Sequence, residues 1–163
     1  MGLDQNHNSK INIHLGSSCG GNLQFAVDNF NNNFKRLSPS VRSRLTVEND
    51  DKPLMFSSKF LYENIYKGNK VPIVFDSHHF SLGPQDATYA ESFDMTYDSW
   101  PRTIKPTCHH SNDKKEFEDP TARSTAHSNY YYKPFNSCGK SVDIILESKC
   151  KEKALIKYRK DFL

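Results

Sequence analysis

Apolar positions along this chain follow two rhythms. Short runs rich in β-branched residues occur at 10–15, 44–48, 71–76, 103–109 and 142–147, and these read as strands buried in a parallel sheet. Between them, apolar residues three and four apart predict helices at 22–37, 57–67, 85–97 and 149–161. In the first helix Phe25, Val27, Phe30, Phe34 and Leu37 supply the apolar positions and Ser38-Pro39 reads as the stop; Gly68-Asn69 reads as the end of the second. The third is less regular, because Asp86, Glu91, Asp94 and Asp98 lie in it or beside it. Strand and helix alternate, which predicts five parallel strands joined by right-handed crossovers. Two segments have neither rhythm, a polar leader at 1–9 and a polar loop at 111–123. A loop of that length is usually functional or mobile.

The strands end on residues that can hold a metal. Leu45-Thr46-Val47-Glu48, Ile73-Val74-Phe75-Asp76 and Ile144-Ile145-Leu146-Glu147 end on carboxylates, Ile11-Asn12-Ile13 ends on His14, and His109 follows Cys108. The C-terminal strand ends are where a parallel β/α barrel builds its active site. Five such endings predict acids and imidazoles converging on one face to hold metal ions.

Taken singly, each ending has a plainer reading. Asp76 can cap the helix after it; in the functional reading Asp76-Ser77-His78-His79 supplies a carboxylate and an imidazole three residues on, His79 having the better offset and His78 standing in reserve. Glu48-Asn49-Asp50-Asp51 reads equally as acids complementing a helix N-terminus. The functional reading selects Glu48, in line with the apolar run, because its two oxygens can bridge two metals. Glu147 is costly to bury without a cation, for which Lys149 or Lys151 is the plain partner. His14 alone is an ordinary polar strand end, and His109, beside Cys108 and His110, lacks the C-x-x-C pair of a zinc finger. Tyr130-Tyr131-Tyr132 either packs a barrel rim or stacks on bases.

Composition narrows the classes. The 163 residues suffice for one domain with a core. No apolar stretch approaches the roughly 18 residues of a membrane span, so no membrane is expected as a partner. Residues 1–10 lack the apolar core of a secretory signal, and the four cysteines form no C-x-x-C pair. Free thiols in an intracellular, non-secreted protein are the expectation. The net charge of +3 owes much to residues 149–160, which permits an anionic partner but also describes a solvated helix face.

Six pieces, in order, resemble the UV damage endonuclease family. They are Ile13-His14-Leu15-Gly16, Arg44 to Lys52 around Glu48, Val74-Phe75-Asp76-Ser77-His78-His79, His109-His110-Ser111, His127-Ser128, and Val142 to Lys149 with Lys151 and Ala154. The resemblance implies a TIM-barrel-type α/β fold and nicking of double-stranded DNA on the 5′ side of ultraviolet photoproducts, the opening of excision repair. It implies divalent metal ions, Mn²⁺ foremost with Zn²⁺ or Mg²⁺ as substitutes. Glu48 and Glu147 take catalytic roles by the same resemblance: Glu48 bridges, and Asp76, His109 and Glu147 complete one metal site around it. His79 and His127 contribute to a second metal, and His14 shares a third with Glu48.

Two departures stand out. The resemblance implies a lysine two residues before His109, and this chain has Thr107 there, with Lys105 nearby. A complete eight-stranded barrel takes about 250 residues, so residues 10–163 are expected to be the C-terminal five βα units of an incomplete (β/α)8 barrel, behind the leader at 1–9. Two histidines for the His14 metal and the residues that probe the lesion are then missing. Damaged duplex DNA, an N-terminal half-barrel and self-association are the expected partners. The competing readings are a non-catalytic DNA- or metal-binding remnant, half of a split enzyme, and a sugar-phosphate isomerase-type barrel.

Overall fold

The computed structural model describes residues 2–163. The five apolar runs form β1 (Ile11–His14), β2 (Leu45–Glu48), β3 (Ile73–Asp76), β4 (Thr107–His110) and β5 (Asp143–Leu146), all parallel and neighbouring in chain order. Each observed strand has four residues, shorter than the run that announced it.

The helices differ more from their expected bounds. α1 (Leu23–Phe34) ends before Leu37, and Ser38-Pro39 opens a helix instead of closing one: the Ser38 hydroxyl accepts from Val41 N, and Pro39 takes the first turn of α2 (Pro39–Arg42). Proline suits that place because the first turn has no partner for its missing N–H. The expected helix at 57–67 is a continuous rod of α3 (Ser58–Leu61), a π turn (Tyr62–Tyr66) and α4 (Lys67–Asn69). Lys70 closes it in the left-handed conformation (φ 57°), while Gly68 stays helical. The stretch from 77 to 98 divides into α5 (Ser77–Leu82) and α6 (Tyr89–Asp98); Thr88 and Glu91 form a capping box at the start of α6, which accounts for one of its irregular acids. The polar loop contains α7 (Lys114–Phe117) and is fastened by an antiparallel bridge between Asp113 and His127. α8 (Lys151–Phe162) ends the chain. In the leader, residues 7–9 form a 3-10 turn with the His7 ring edge-on to Trp100. Among the described residues, no helix is long and apolar enough to cross a membrane.

Strand alternation sorts the sheet into two faces. Ile11, Leu45, Val47, Ile73, Phe75 and Cys108 face the helices and join two core clusters, one with Ala26, Phe56, Leu61 and Ile65, the other with Phe93 and Phe135. Phe75 meets Phe93 edge-to-face at 5.5 Å, an arrangement worth about 1 kcal/mol beyond the area it buries. A third cluster, Tyr131, Ala154 and Tyr158, holds α8 to the β4–β5 side. The opposite face carries Asn12, Thr46, Thr107 and the candidate ligands.

β2, β3 and β4, each with a strand on both sides, are buried along their whole length. The outer strands are not: β5 is mostly exposed, and Ile13, Ile144 and Ile145 lie open at the two edges. The expectation that all five strands are buried is corrected for β1 and β5, because neither has a neighbour on its outer side. Such edges template further strand pairing. At micromolar concentration the chain should sediment as dimers or larger species, and the double change Ile13→Lys, Ile144→Lys should shift it to monomer. Monomeric wild type throughout a concentration series would contradict this.

Candidate metal centre

The sheet register draws the strand-end residues into one staggered row. His14 pairs with Glu48, Asp76 pairs with His109, and all four project from the face opposite the helices. Glu48 pairs with Val74, so Asp76 lies two residues further along; Ile145 pairs with His109, so Glu147 lies two residues beyond that. The row climbs across the sheet as the shear of a curved parallel sheet requires.

Glu48 is the hub. It is 4% exposed, and its two oxygens face different imidazoles: Oε1 is 3.1 Å from His79 Nδ1 and 3.9 Å from His14 Nε2, while Oε2 is 3.2 Å from His109 Nδ1 and accepts from the Asn12 amide. Burial by itself raises the carboxyl's pKa, but the imidazoles of His109 and His79 overcome it and hold the group well below the usual carboxylate range. Reciprocally, burial opposes the charge on His79, and Glu48 and Asp76 override it, lifting the imidazole to about 9. His109 is likewise raised against its burial by Glu48, and His14 is raised by its contact with Asp50 (3.2 Å).

Asp76 divides its work between its oxygens. Oδ1 accepts from the backbone N–H groups of His78 (2.7 Å) and His79 (2.9 Å), so the helix-capping reading is correct. Oδ2 is buried with no hydrogen-bond partner, 3.9 Å from His79 Nδ1, so a lone pair remains for a cation as well. His109 Nδ1 is similarly buried without an aligned partner, although it stands 3.2 Å from both Glu48 and Glu147. Orphaned buried groups of this kind are costly unless something occupies the space between them.

Among the described residues two donor sets lie within 4.8 Å internally, His14–Glu48–His79 and Glu48–Asp76–His109, and Glu48 belongs to both. The set fits a divalent metal. Glu147 reaches the second group through His109 and points its other oxygen at His127 Nδ1 (3.8 Å); among the described residues its ionic partners are imidazoles, not Lys149 or Lys151. His127 donates Nδ1–H to the Glu147 carbonyl (2.8 Å), and His79 donates Nδ1–H to the Asn49 carbonyl (3.0 Å). A carbonyl only accepts, so each neutral ring keeps its lone pair on Nε2, the arrangement that orients metal-ligating histidines. His78 has no such contact: burial lowers its pKa, and its Nε2 is unpartnered.

Sequence reasoning passed over Asp50, the buried partner of His14, and the amides of Asn12 and Asn49. Asp50 had been set among acids that complement a helix; lying two residues past Glu48 was the available signal. Thr107 is buried on the site side of β4, whereas Lys105 lies before β4 and pairs with Asp143 (2.9 Å) at the strands' far end. Lys105 therefore brings no amine to the centre. The tyrosine cluster packs: Tyr131 stacks on His110 and Tyr132 on Phe117.

The UV-endonuclease UvdE family model matches residues 1–163. The chain is 34% identical over 161 residues to a UV DNA damage endonuclease of Bacillus cereus (strain Q1), covering 92% of this chain and 47% of the relative. With a UV DNA damage endonuclease of Bacillus anthracis (strain A0248) it shares 32% identity at the same coverage. The crystal structure of SacUVDE superposes with a TM-score of 0.73 at 27% identity, covering 93% of this chain and 51% of that one. The α/β fold with its five-stranded parallel sheet thus matches a TIM-barrel-like fold, and the chain spans about half the length of the curated relatives it matches.

The titrations set a pH dependence for the metal-free protein. His79 rises from 6.5 to about 9 on folding, so its stabilisation is complete below pH 6.5 and is lost as pH climbs through about 9. Burial holds His78 and His110 below 6.5, so their neutral burial costs stability as pH falls under that value. In chelator, the melting temperature should peak near pH 6.5 and decline towards pH 9. Glu48→Gln should flatten the alkaline decline, and an unchanged decline in that variant would disprove the assignment to the Glu48 cluster.

Proposed function

This chain belongs to the UvdE family of UV-endonucleases, and from that premise we propose that it is a metal-dependent endonuclease of DNA repair, nicking damaged duplex DNA on the 5′ side of ultraviolet photoproducts. The observation that carries the reading is Glu48 serving both donor sets while Asp76 Oδ2 and His109 Nδ1 stay buried and unpaired beside it. Asp76, His109 and Glu147 would hold one divalent ion with Glu48, and His14 with Glu48 another. His79 shares a donor set with Glu48 and His14, and its ring stands 6.4 Å from that of His127, which supports His79 and His127 contributing to a second ion. Mixed carboxylate and imidazole donors suit Mn²⁺, with Zn²⁺ or Mg²⁺ as substitutes. Divalent ions held by these residues would activate a water and offset negative charge at the scissile phosphate.

The protein's own groups do the rest. Glu48, held ionised by its imidazoles, keeps both oxygens in place between the two sets. The carbonyls of Asn49 and Glu147 fix the rings of His79 and His127. Lys149, Lys151 and Lys153 follow Glu147 directly and are exposed, which places positive charge for phosphates at the same end of the sheet.

The fold is read as five βα units of an incomplete barrel, because β1 and β5 lack outer neighbours and the chain spans about half of its relatives. The complement is an N-terminal half-barrel, and self-association through the same edges is its competitor. Full cutting requires that complement, since His14 stands at an open edge without the two further imidazoles and the lesion-probing residues that the family resemblance implies. A non-catalytic DNA- or metal-binding remnant is the second reading, favoured by that half-length. An intracellular setting goes with the repair role.

Two measurements follow. Calorimetry with Mn²⁺ should show binding that releases protons, as the raised His79 must give up its second proton to ligate, and both Glu147→Gln and Asp76→Asn should weaken it about tenfold or more. Equal stoichiometry and affinity in both variants would exclude these residues as ligands. On end-labelled irradiated duplex with Mn²⁺, the chain alone should nick at least about 100-fold more slowly than its mixture with the N-terminal half of the Bacillus cereus relative, and Glu48→Gln should abolish the difference. Robust lesion-specific nicking by the chain alone would refute the need for a complement.

A further inference from the structure

We propose that Asn49 is the positioning residue of the metal centre, a side-chain splice that sets Glu48, Asp76 and His79 in one frame. The proposal rests on the reading of this site as a metal centre.

β2 and β3 part at their C-terminal ends. Their register runs through Val47–Ile73 and Glu48–Val74, and beyond it Phe75 and Asp76 pair with β4 instead. The gap opens where two carboxylates must keep a fixed separation. Asn49 fills it with its amide: Oδ1 accepts the Asp76 N–H (2.9 Å) and Nδ2 donates to the Asp76 carbonyl (3.0 Å). The side-chain amide thus pairs both backbone groups of Asp76 on the side that β2 has left, at 1% exposure, where no water competes for it. Its own carbonyl takes the Nδ1–H of His79, and its neighbour in the chain is Glu48. One residue therefore fixes the backbone that carries Asp76, the ring of His79 and the end of β2.

The residue type is dictated by this geometry. An aspartate at this position accepts from the Asp76 N–H but has nothing to donate to its carbonyl. An apolar residue removes both of these bonds from buried backbone groups. Destabilisation alone does not establish positioning, and the other end of β3 provides the control. There the Ile73 N–H donates to Ser99 Oγ (2.8 Å), and Ser99 is 2% exposed. Ser99→Ala removes a buried side-chain bond to the same strand, away from the ligands.

The test compares wild type, Asn49→Ala, Asn49→Asp and Ser99→Ala by Mn²⁺ calorimetry, melting temperature and amide hydrogen exchange at Asp76. Asn49→Ala should bind Mn²⁺ about 10–100-fold more weakly, the range for lost ligand-orienting contacts, with faster exchange at Asp76. Asn49→Asp fills the same volume and serves should the alanine variant fail to fold; it should also weaken binding. Ser99→Ala should lower the melting temperature while leaving Mn²⁺ affinity within about twofold of wild type. Asn49 variants that bind Mn²⁺ as wild type does, or a Ser99→Ala loss of affinity equal to theirs, would overturn the positioning role. Wild type that fails to bind Mn²⁺ would instead overturn the metal-centre reading and this inference with it.

Discussion

Two carboxylates taken out of water govern this structure. Glu48 and Asp76 end the two strands at the heart of the sheet, at 4% and 0% exposure. Removing such a group from water costs several kcal/mol even after relaxation. The surroundings are arranged against that cost: three imidazoles and an amide around Glu48, two backbone N–H groups on Asp76 Oδ1, and the Asn49 splice between them. The compensation is incomplete, since Asp76 Oδ2 keeps no partner. A fold that needed only stability would replace these groups with apolar ones at little loss. Their retention points to the site's chemistry as the reason for the arrangement.

The same alternation that builds the core builds the site. Every second residue of the inner strands enters the helix-facing cores, and the residues between them face the ligands. A slip of one residue in any strand would exchange a core residue for one of the strand-end acids or imidazoles, so the apolar packing of Val47, Ile73 and Phe75 holds that row in register. Core and site are therefore one energetic unit, unlike a loop-borne site that can drift on a rigid scaffold.

The outermost candidate ligands lie at the open flanks. His14 is on β1, with 43% of its side chain exposed, and Glu147 follows β5 and is one-third exposed. The inner ligands, by contrast, are buried. The row is thus buried in its middle and open at both ends. The open sheet edges and the exposed ends of this row are the same structural fact seen along two directions.

The sequence alone determined the five strands, their parallel order and the residues that end the first three, because a period of two and a run of β-branched residues are local properties that packing on the helix side preserves; β4 runs one residue past His109 and β5 stops one short of Glu147. It also determined that Glu48 stands at the end of its run. Whether Asp76 caps a helix or holds a cation was open in the sequence, and the structure answers with one oxygen for the cap and the other left free. Helix ends were poorly legible where a residue serves either side of a boundary, as Ser38-Pro39 does, and where Lys70 adopts a left-handed conformation that glycine more often takes. The exposure of β5 was hidden because an apolar strand reads the same whether or not a neighbour covers it. Only the tertiary structure decided that Asp50 meets His14, that Lys105 turns away to Asp143, and that Asn49 joins two strands. Those contacts depend on sheet stagger and side-chain direction across residues far apart in the chain, and no local pattern encodes either.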